Sequence, residues 1–328
     1  MKRFISAIVV SALALSMISI AGCDGGKPPG AKGGIKVAFV TNNPSDFWML
    51  AKAGVLQAEK DFGVSCEFHM PAKDDAALQQ QIVEDLMTKG IGGMAISPIN
   101  SKNQTPLLNK AAERMNVVCH DSDAPDSKRL AYIGSNNVAA GRLAGELIKE
   151  ALPDGGKVML FVGSIDAQNA RERKQGIEEV LKDTKIEIVD VLTDGTDRQK
   201  AQNNVTDTIT GKPEINCFVG LWSYNGPAIA DAVKKAGKAG AIKIVAFDEE
   251  ENTLNGIKDG TIVGTVVQDP YMFGYESVRV LAALAKKEDA KIPANKMVET
   301  PLKQIRKDDV DAFRKLTEDR VKAAKAAK

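Results

Sequence analysis

From Ile35 onward the chain alternates short runs rich in β-branched residues with amphipathic stretches of helical period. That alternation restricts it to parallel sheets covered by helices. The predicted strands read IKVAFVT from Ile35, SCEFHM from Ser65, GMAISP from Gly93, NVVCHD from Asn116 and LAYIG from Leu130. A second series reads KVMLFVG from Lys157, IEIVDVL from Ile186, CFVGL from Cys217, IKIVAFD from Ile242 and IVGTVVQ from Ile262. Helices are predicted near 45–61, 75–89, 101–115, 137–151, 168–183, 198–210, 225–238 and 271–287. Two such series imply two similar α/β lobes, which 328 residues can supply. Residues 306–328, rich in Lys, Asp and Ala with sparse apolar positions, read as a charged, solvated helical tail that frays, with no function assigned.

Lys+Arg number 44 against 43 Asp+Glu, so no global field draws the chain to nucleic acid, and its function must lie in local chemistry. Lys2 and Arg3 precede an apolar run from Phe4 to Ile20, closed by small Ala21 and Gly22 before Cys23, which is the order of a secretion signal over residues 1–22. An uncleaved anchor is the alternative, although the run is short for a span of ~20 residues. Ile20-Ala21-Gly22-Cys23 also resembles a bacterial lipobox, which implies lipidation of Cys23 and a tether over 23–34. In enteric sorting, Asp24 after that cysteine implies retention at the inner membrane. The remaining Cys66, Cys119 and Cys217 sit in apolar strands and read as buried free thiols. Without a CxxC and with only His69 and His120, no metal site and no cofactor are expected.

In open parallel sheets, ligands collect beyond the carboxyl ends of the strands, so polar residues that end apolar strands are the ones to inspect. Thr41 with Asn42 and Asn43 follows the first strand, Asp121 to Asp123 the fourth, Trp222 the CFVGL strand, Asp248 the IKIVAFD strand and Gln268 the IVGTVVQ strand. Arg171 lies early in a helix, and Phe47 and Trp48 open the first one. Carboxylates, amides and a guanidinium fork can bridge vicinal hydroxyls in pairs while aromatic faces cover C–H surface, so the set suits a sugar. Each residue also has a plainer reading. Asp248 could cap a helix, Asp121 and Asp123 could form an Asx turn, Arg171 could be a solvated helix charge, and Phe47 and Trp48 could be ordinary core.

Taken together, NNPSDFW at 42–48, HDSDAPDS at 120–127, IGSNNVAAG at 133–141, ARERKQG at 170–176, TDGTDR at 193–198, VAFDE at 245–249 and GTVVQDP at 264–270 resemble the ribose-type periplasmic sugar-binding proteins. The resemblance implies a type I periplasmic binding protein fold: two doubly wound parallel-sheet lobes joined by a three-segment hinge. It puts 35–135 plus 269–297 in the N-terminal lobe and 136–268 plus 298–305 in the C-terminal lobe. It assigns an aromatic clamp to Phe47 and Trp48, hydroxyl-binding carboxylates to Asp121 and Asp248, the arginine to Arg171 and the amide to Gln268. Ser45 and Thr196 fall at weaker contact positions. Ser122 and Trp222 replace an arginine and an asparagine common in ribose proteins, which turns the pocket toward another pentose, a hexose or a polyol.

The implied role is the sugar-binding component of an ABC-type importer, a monomer in the periplasm or on the outer face of the cytoplasmic membrane, with the sugar and a permease as partners. A sensor that presents sugar to a chemoreceptor or kinase shares every feature named. An enzyme using a nucleotide is not expected: Gly90-Ile91-Gly92-Gly93-Met94-Ala95 ends a helix and opens a strand, the reverse of a dinucleotide fingerprint, and no GxxxxGK[ST] loop occurs. A repressor would need a DNA-binding segment where the signal stands.

Overall fold

The computed structural model describes residues 34–326, so the signal, Cys23 and all of the tether but Gly34 lie outside the described residues. The first elements in chain order are β1 (Lys36–Val40), α1 (Phe47–Phe62), β2 (Ser65–His69), α2 (Ala76–Lys89), β3 (Gly93–Ile96), α3 (Ser101–Ala112), β4 (Asn116–His120) and β5 (Tyr132–Gly134). Then follow α4 (Asn137–Ala151), β6 (Gly156–Val162), α5 (Gln168–Leu181), β7 (Ile186–Thr193), α6 (Arg198–Gly211), β8 (Cys217–Gly220), α7 (Asn225–Lys235), β9 (Lys243–Phe247), α8 (Glu251–Asp259) and β10 (Gly264–Val267). The chain closes with α9 (Pro270–Lys286), β11 (Met297–Glu299), β12 (Lys303–Ile305) and α10 (Val310–Ala326). Every strand read from the sequence is present. The short α8, β11 and β12 are additional, because three to nine residues carry too little periodicity to be recognised alone.

One sheet runs β11-β5-β4-β3-β1-β2 and the other β12-β10-β9-β8-β6-β7. Within each, the first strand of the series lies between the second and the third, the doubly wound order whose switch point collects ligands. Only β12 is antiparallel to its neighbour, β10. Helices cover both faces, so the inner strands β1, β3, β8 and β10 are buried along nearly their whole length and read as continuous apolar runs. Successive residues serve opposite cores: Val37 and Phe39 join one apolar cluster of their sheet, Ala38 and Val40 the other. Val158 and Leu160 against Met159 and Phe161 divide the second sheet's clusters in the same way.

Each lobe contains one helix pair too close for side chains at the contact. A Cβ on Gly141 would lie 2.1 Å from the carbonyl oxygen of Arg173, and one on Gly176 2.1 Å from that of Val138, so glycine is what lets α4 and α5 touch backbone to backbone. In the first lobe Gly54 and Gly274 do the same for α1 and α9, at 1.9 and 2.0 Å. The chain passes between the sheets three times, from β5 to α4, from β10 to α9 and from β11 to β12.

The tail is helical, as read, but it is not solvated all round. Val310 is buried in a second-lobe core, Phe313 packs against that core, and α10 lies against α1 and α8. Val310, Phe313, Thr317 and Arg320 recur at three- and four-residue intervals and make one inward stripe. Two of its four members are polar, which hides the stripe from a hydropathy reading.

Candidate functional site

Where the carboxyl ends of the two sheets face each other, a small cavity of about 30 Å³ is lined by Asn42, Asn43, Ser45, Phe47, Trp48, Asp121, Asn169, Arg173, Trp222, Ser223, Tyr224 and Asp248. The walls touch across the gap: Ser45 Oγ is 3.2 Å from Ser223 Oγ, and the Asn169 amide donates to Asp121 at 3.4 Å. The structure is therefore a closed one.

Asp121 and Asp248 occupy matching positions, one residue past β4 and β9, and both have left-handed backbone, with φ of 59° and 65°. Such a conformation costs a non-glycine residue on the order of 1 kcal/mol or more, and residues held there tend to mark functional sites. Asp121 accepts from Ser97 Oγ at 2.7 Å and from the Asn42 amide at 3.4 Å. Burial pushes its pKa up to about 6, with Arg173 and the Ser97 bond opposing. Burial also raises Asp248, against the pull of Arg173 and of the bond from Gln268.

Arg173 is 1% exposed and is the fixed cation of the site. Its Nε donates to Asn137 Oδ1 at 3.0 Å and its Nη1 to the Leu221 carbonyl at 2.6 Å. Nη1 also lies 3.8 Å from the Asp248 carboxylate, and the guanidinium covers the Phe247 ring at 4.5 Å. Its Nη2 and Asn42 Oδ1, both buried, have no hydrogen-bond partner within the protein. Since a buried polar atom left unpaired costs ~1–3 kcal/mol, these two are groups that a hydroxylated guest would satisfy.

The aromatic residues supply the walls. Phe47 and Trp48 meet edge to face with ring centroids 4.9 Å apart, and the Trp48 indole donates to Asn43 Oδ1 at 3.2 Å. Trp222, from the other lobe, donates its indole N–H to Asn169 Oδ1 at 3.2 Å. A Cβ on Gly163 would stand 2.2 Å from the Trp222 ring, so the bare backbone after β6 is what lets the indole lie there.

Of the residues read from the sequence, Ser45, Phe47, Trp48, Asp121, Trp222 and Asp248 line this cavity. Thr41, Asp123, Arg171, Thr196 and Gln268 do not. Thr41 is buried beneath it, where its hydroxyl donates to the Asn43 carbonyl and its own carbonyl accepts from Gln79. Asp123 turns away into an ion pair with Arg129. Arg171 is exposed and off the cavity; it donates to the Asp166 carbonyl and to Gln168 Oε1, and its Nη2 lies 3.5 Å from Ser101 Oγ of the other lobe. Thr196 sits in the turn after β7, its hydroxyl on the Gly195 carbonyl. Gln268 stands behind the wall and holds Asp248 Oδ1 at 2.9 Å. Ser122 is buried and also off the cavity.

The sequence reading missed Arg173, Asn169, Ser223 and Tyr224, and it noted Asn42 and Asn43 without selecting them. Arg173 had a signal: Ala170, Arg173, Ile177 and Leu181 form the buried stripe of α5, whereas Arg171 falls on its outer face. Elsewhere, Cys119 and Cys217 are buried and Cys66 half-buried, all free, with burial pushing the thiols up. Among the described residues no cluster of His, Cys, Asp or Glu could hold a metal ion.

Residues 37–289 match the family described as the periplasmic binding protein domain. The chain is 28% identical to the ribose import binding protein of Bacillus subtilis, over 84% of this chain and 90% of that protein. It is 27% identical to the D-allose-binding periplasmic protein of Escherichia coli, over 80% and 86% respectively. Among solved structures, an ABC transporter solute-binding protein of Burkholderia graminis in complex with D-arabinose superposes with a TM-score of 0.79 at 29% identity, covering 84% of this chain and 96% of that one. A glucose-galactose binding protein of Geobacillus stearothermophilus gives 0.80 at 27%, covering 85% and 99%.

Proposed function

The chain belongs to the periplasmic binding protein family, and from that premise we propose that it is the extracytoplasmic sugar-binding component of an ABC-type importer, closing two lobes over one monosaccharide or polyol. The observation that carries this reading is the meeting, in one cavity, of two buried carboxylates, a buried arginine with a free N–H edge and four aromatic rings drawn from both lobes.

Ser45, Phe47, Trp48, Asp121, Trp222 and Asp248 are the proposed contacts, joined by Asn42, Asn43, Asn169, Arg173, Ser223 and Tyr224. Two acids against one arginine leave no surplus cation for a sugar acid or a sugar phosphate, so the guest is neutral. A ligand that touches both lobes stabilises the closed form by its differential affinity, with the three crossings as hinge.

The chain has two tryptophans, and both line the cavity, so intrinsic emission reports binding almost without background. Titration of the mature protein with pentoses, hexoses and polyols is expected to change emission and raise the melting temperature for a small subset of them. No response from any neutral sugar would remove the assignment.

Membrane attachment through Cys23 is part of the proposal, supported by the lipobox-like IAGC. Cys23→Ser is expected to leave the protein in the soluble fraction of a cell expressing it and unlabelled by a clickable fatty acid. Unchanged membrane recovery would point to the apolar run itself as the anchor.

A further inference from the structure

We propose that the C-terminal helix α10 is a strap over the hinge, and that Arg320 is a positioning residue which biases the lobes toward closure through Asp269. This rests on the binding role above.

The root of the helix belongs to the second lobe. Val310 and Phe313 pack in and against its core, Arg314 reaches Glu251 at 2.9 Å and Lys258 reaches Asp311 at 2.6 Å, both ties running to α8. Its far end meets the first lobe. Arg320 Nη1 lies 2.8 Å from Asp269 Oδ1, and its guanidinium covers the Tyr271 ring at 4.9 Å. The pair is only 28% and 15% exposed, so solvent screens it less than a free surface bridge.

Asp269 is not an arbitrary partner. It sits in the crossing from β10 to α9, where its carboxylate also caps α9 by accepting from the Met272 N–H at 3.2 Å. Its neighbour Gln268 is the residue that holds Asp248 in the cavity wall. Beneath α10, a groove reaches both this crossing, at Val267 to Asp269, and the last one, at Pro301 to Lys303. A helix rooted in one lobe and latched to the other across two hinge segments has to strain or release that latch when the lobes rotate apart. The latch therefore adds to the stability of the closed form and, through Gln268, to the fixed position of Asp248.

The test compares Arg320→Ala, Arg320→Lys and Arg314→Ala in the mature protein. Nitroxide labels on Lys73→Cys and Lys200→Cys, exposed positions on opposite lobes, report the inter-lobe distance in a Cys66→Ser background by double electron–electron resonance. In the ligand-free state Arg320→Ala is expected to move population to longer distances, Arg320→Lys to lie between it and wild type, and Arg314→Ala, whose contact stays within one lobe, to match wild type. Sugar affinity is expected to fall about threefold to tenfold in Arg320→Ala, as the closed fraction falls. Wild-type distances in Arg320→Ala, or equal shifts in Arg320→Ala and Arg314→Ala, would overturn the proposal. The distance arm uses no ligand, so it stands even if the sugar titration fails.

Discussion

Arg173→Ala is expected to weaken sugar binding roughly 100-fold or more and to destabilise the fold by about 3–5 kcal/mol, the range found when one partner of a buried ion pair is removed. The loss has several parts. Asp248 stays buried with Gln268 as its remaining support, the Leu221 carbonyl and Asn137 Oδ1 lose their donors, and the face of Phe247 loses its cover. Arg173→Lys keeps a charge but cannot reproduce a fork whose Nε and Nη1 are both engaged, so it is expected to recover stability more fully than affinity. Arg171→Ala is the contrasting variant, expected to change affinity less than ~3-fold, because an exposed side chain bonded to its own turn, with one long 3.5 Å contact to Ser101 Oγ across the lobes, adds little. Isothermal titration and urea unfolding measure both quantities. Equal losses at the two arginines would refute the site geometry.

The contrast between these arginines shows what the residues alone disclose. Strand ends are legible because a buried parallel strand is a long apolar run and the first polar residue after it is conspicuous. Asp121, Asp248 and Trp222 were found that way. A helix discloses its inner face only through a stripe, and Arg173 breaks the stripe of α5 by being charged. The physics that makes it visible, a cation satisfied by a carboxylate, a carbonyl and an aromatic face, comes from elements up to 75 positions away. Asp123 misled for the opposite reason: it shares a strand end with Asp121, but Arg129, six residues on, takes it away from the cleft. The tail misled because its inward face is half polar, and Asp269, the group that gives Arg320 a reason to face inward, lies 51 positions before it.

Asp121→Asn is expected to separate binding from stability. The carboxyl has its folded pKa raised from 3.8 to about 6, so the native state holds its proton over a range where the unfolded chain has released it. Stability from this group is full below pH 4, declines as pH rises toward 6 and stays lost above, with a total on the order of 2–3 kcal/mol for a shift of this size. An amide has no such titration. Whatever fixed cost it pays against the donors of Asn42 and Asn169, the stability difference between variant and wild type should swing in the variant's favour by about 2 kcal/mol between pH 4 and 7. Affinity should move the other way. Sugar hydroxyls that donate to the carboxylate favour its ionised form, so binding to wild type is expected to release protons below pH 6 and to weaken as pH falls. His120 takes no part, since burial lowers it to about 3 and leaves it neutral throughout. Asp248, also raised, leaves the variant a smaller slope of the same sign. At pH 7.5 the variant should bind at least ~10-fold more weakly, the loss expected for a charge-assisted hydrogen bond of ~1.5–3 kcal/mol. Titrations in two buffers of different ionisation enthalpy count the protons directly. A wild-type affinity that is flat from pH 5 to 8, with no proton release, would mean that Asp121 does not receive the ligand.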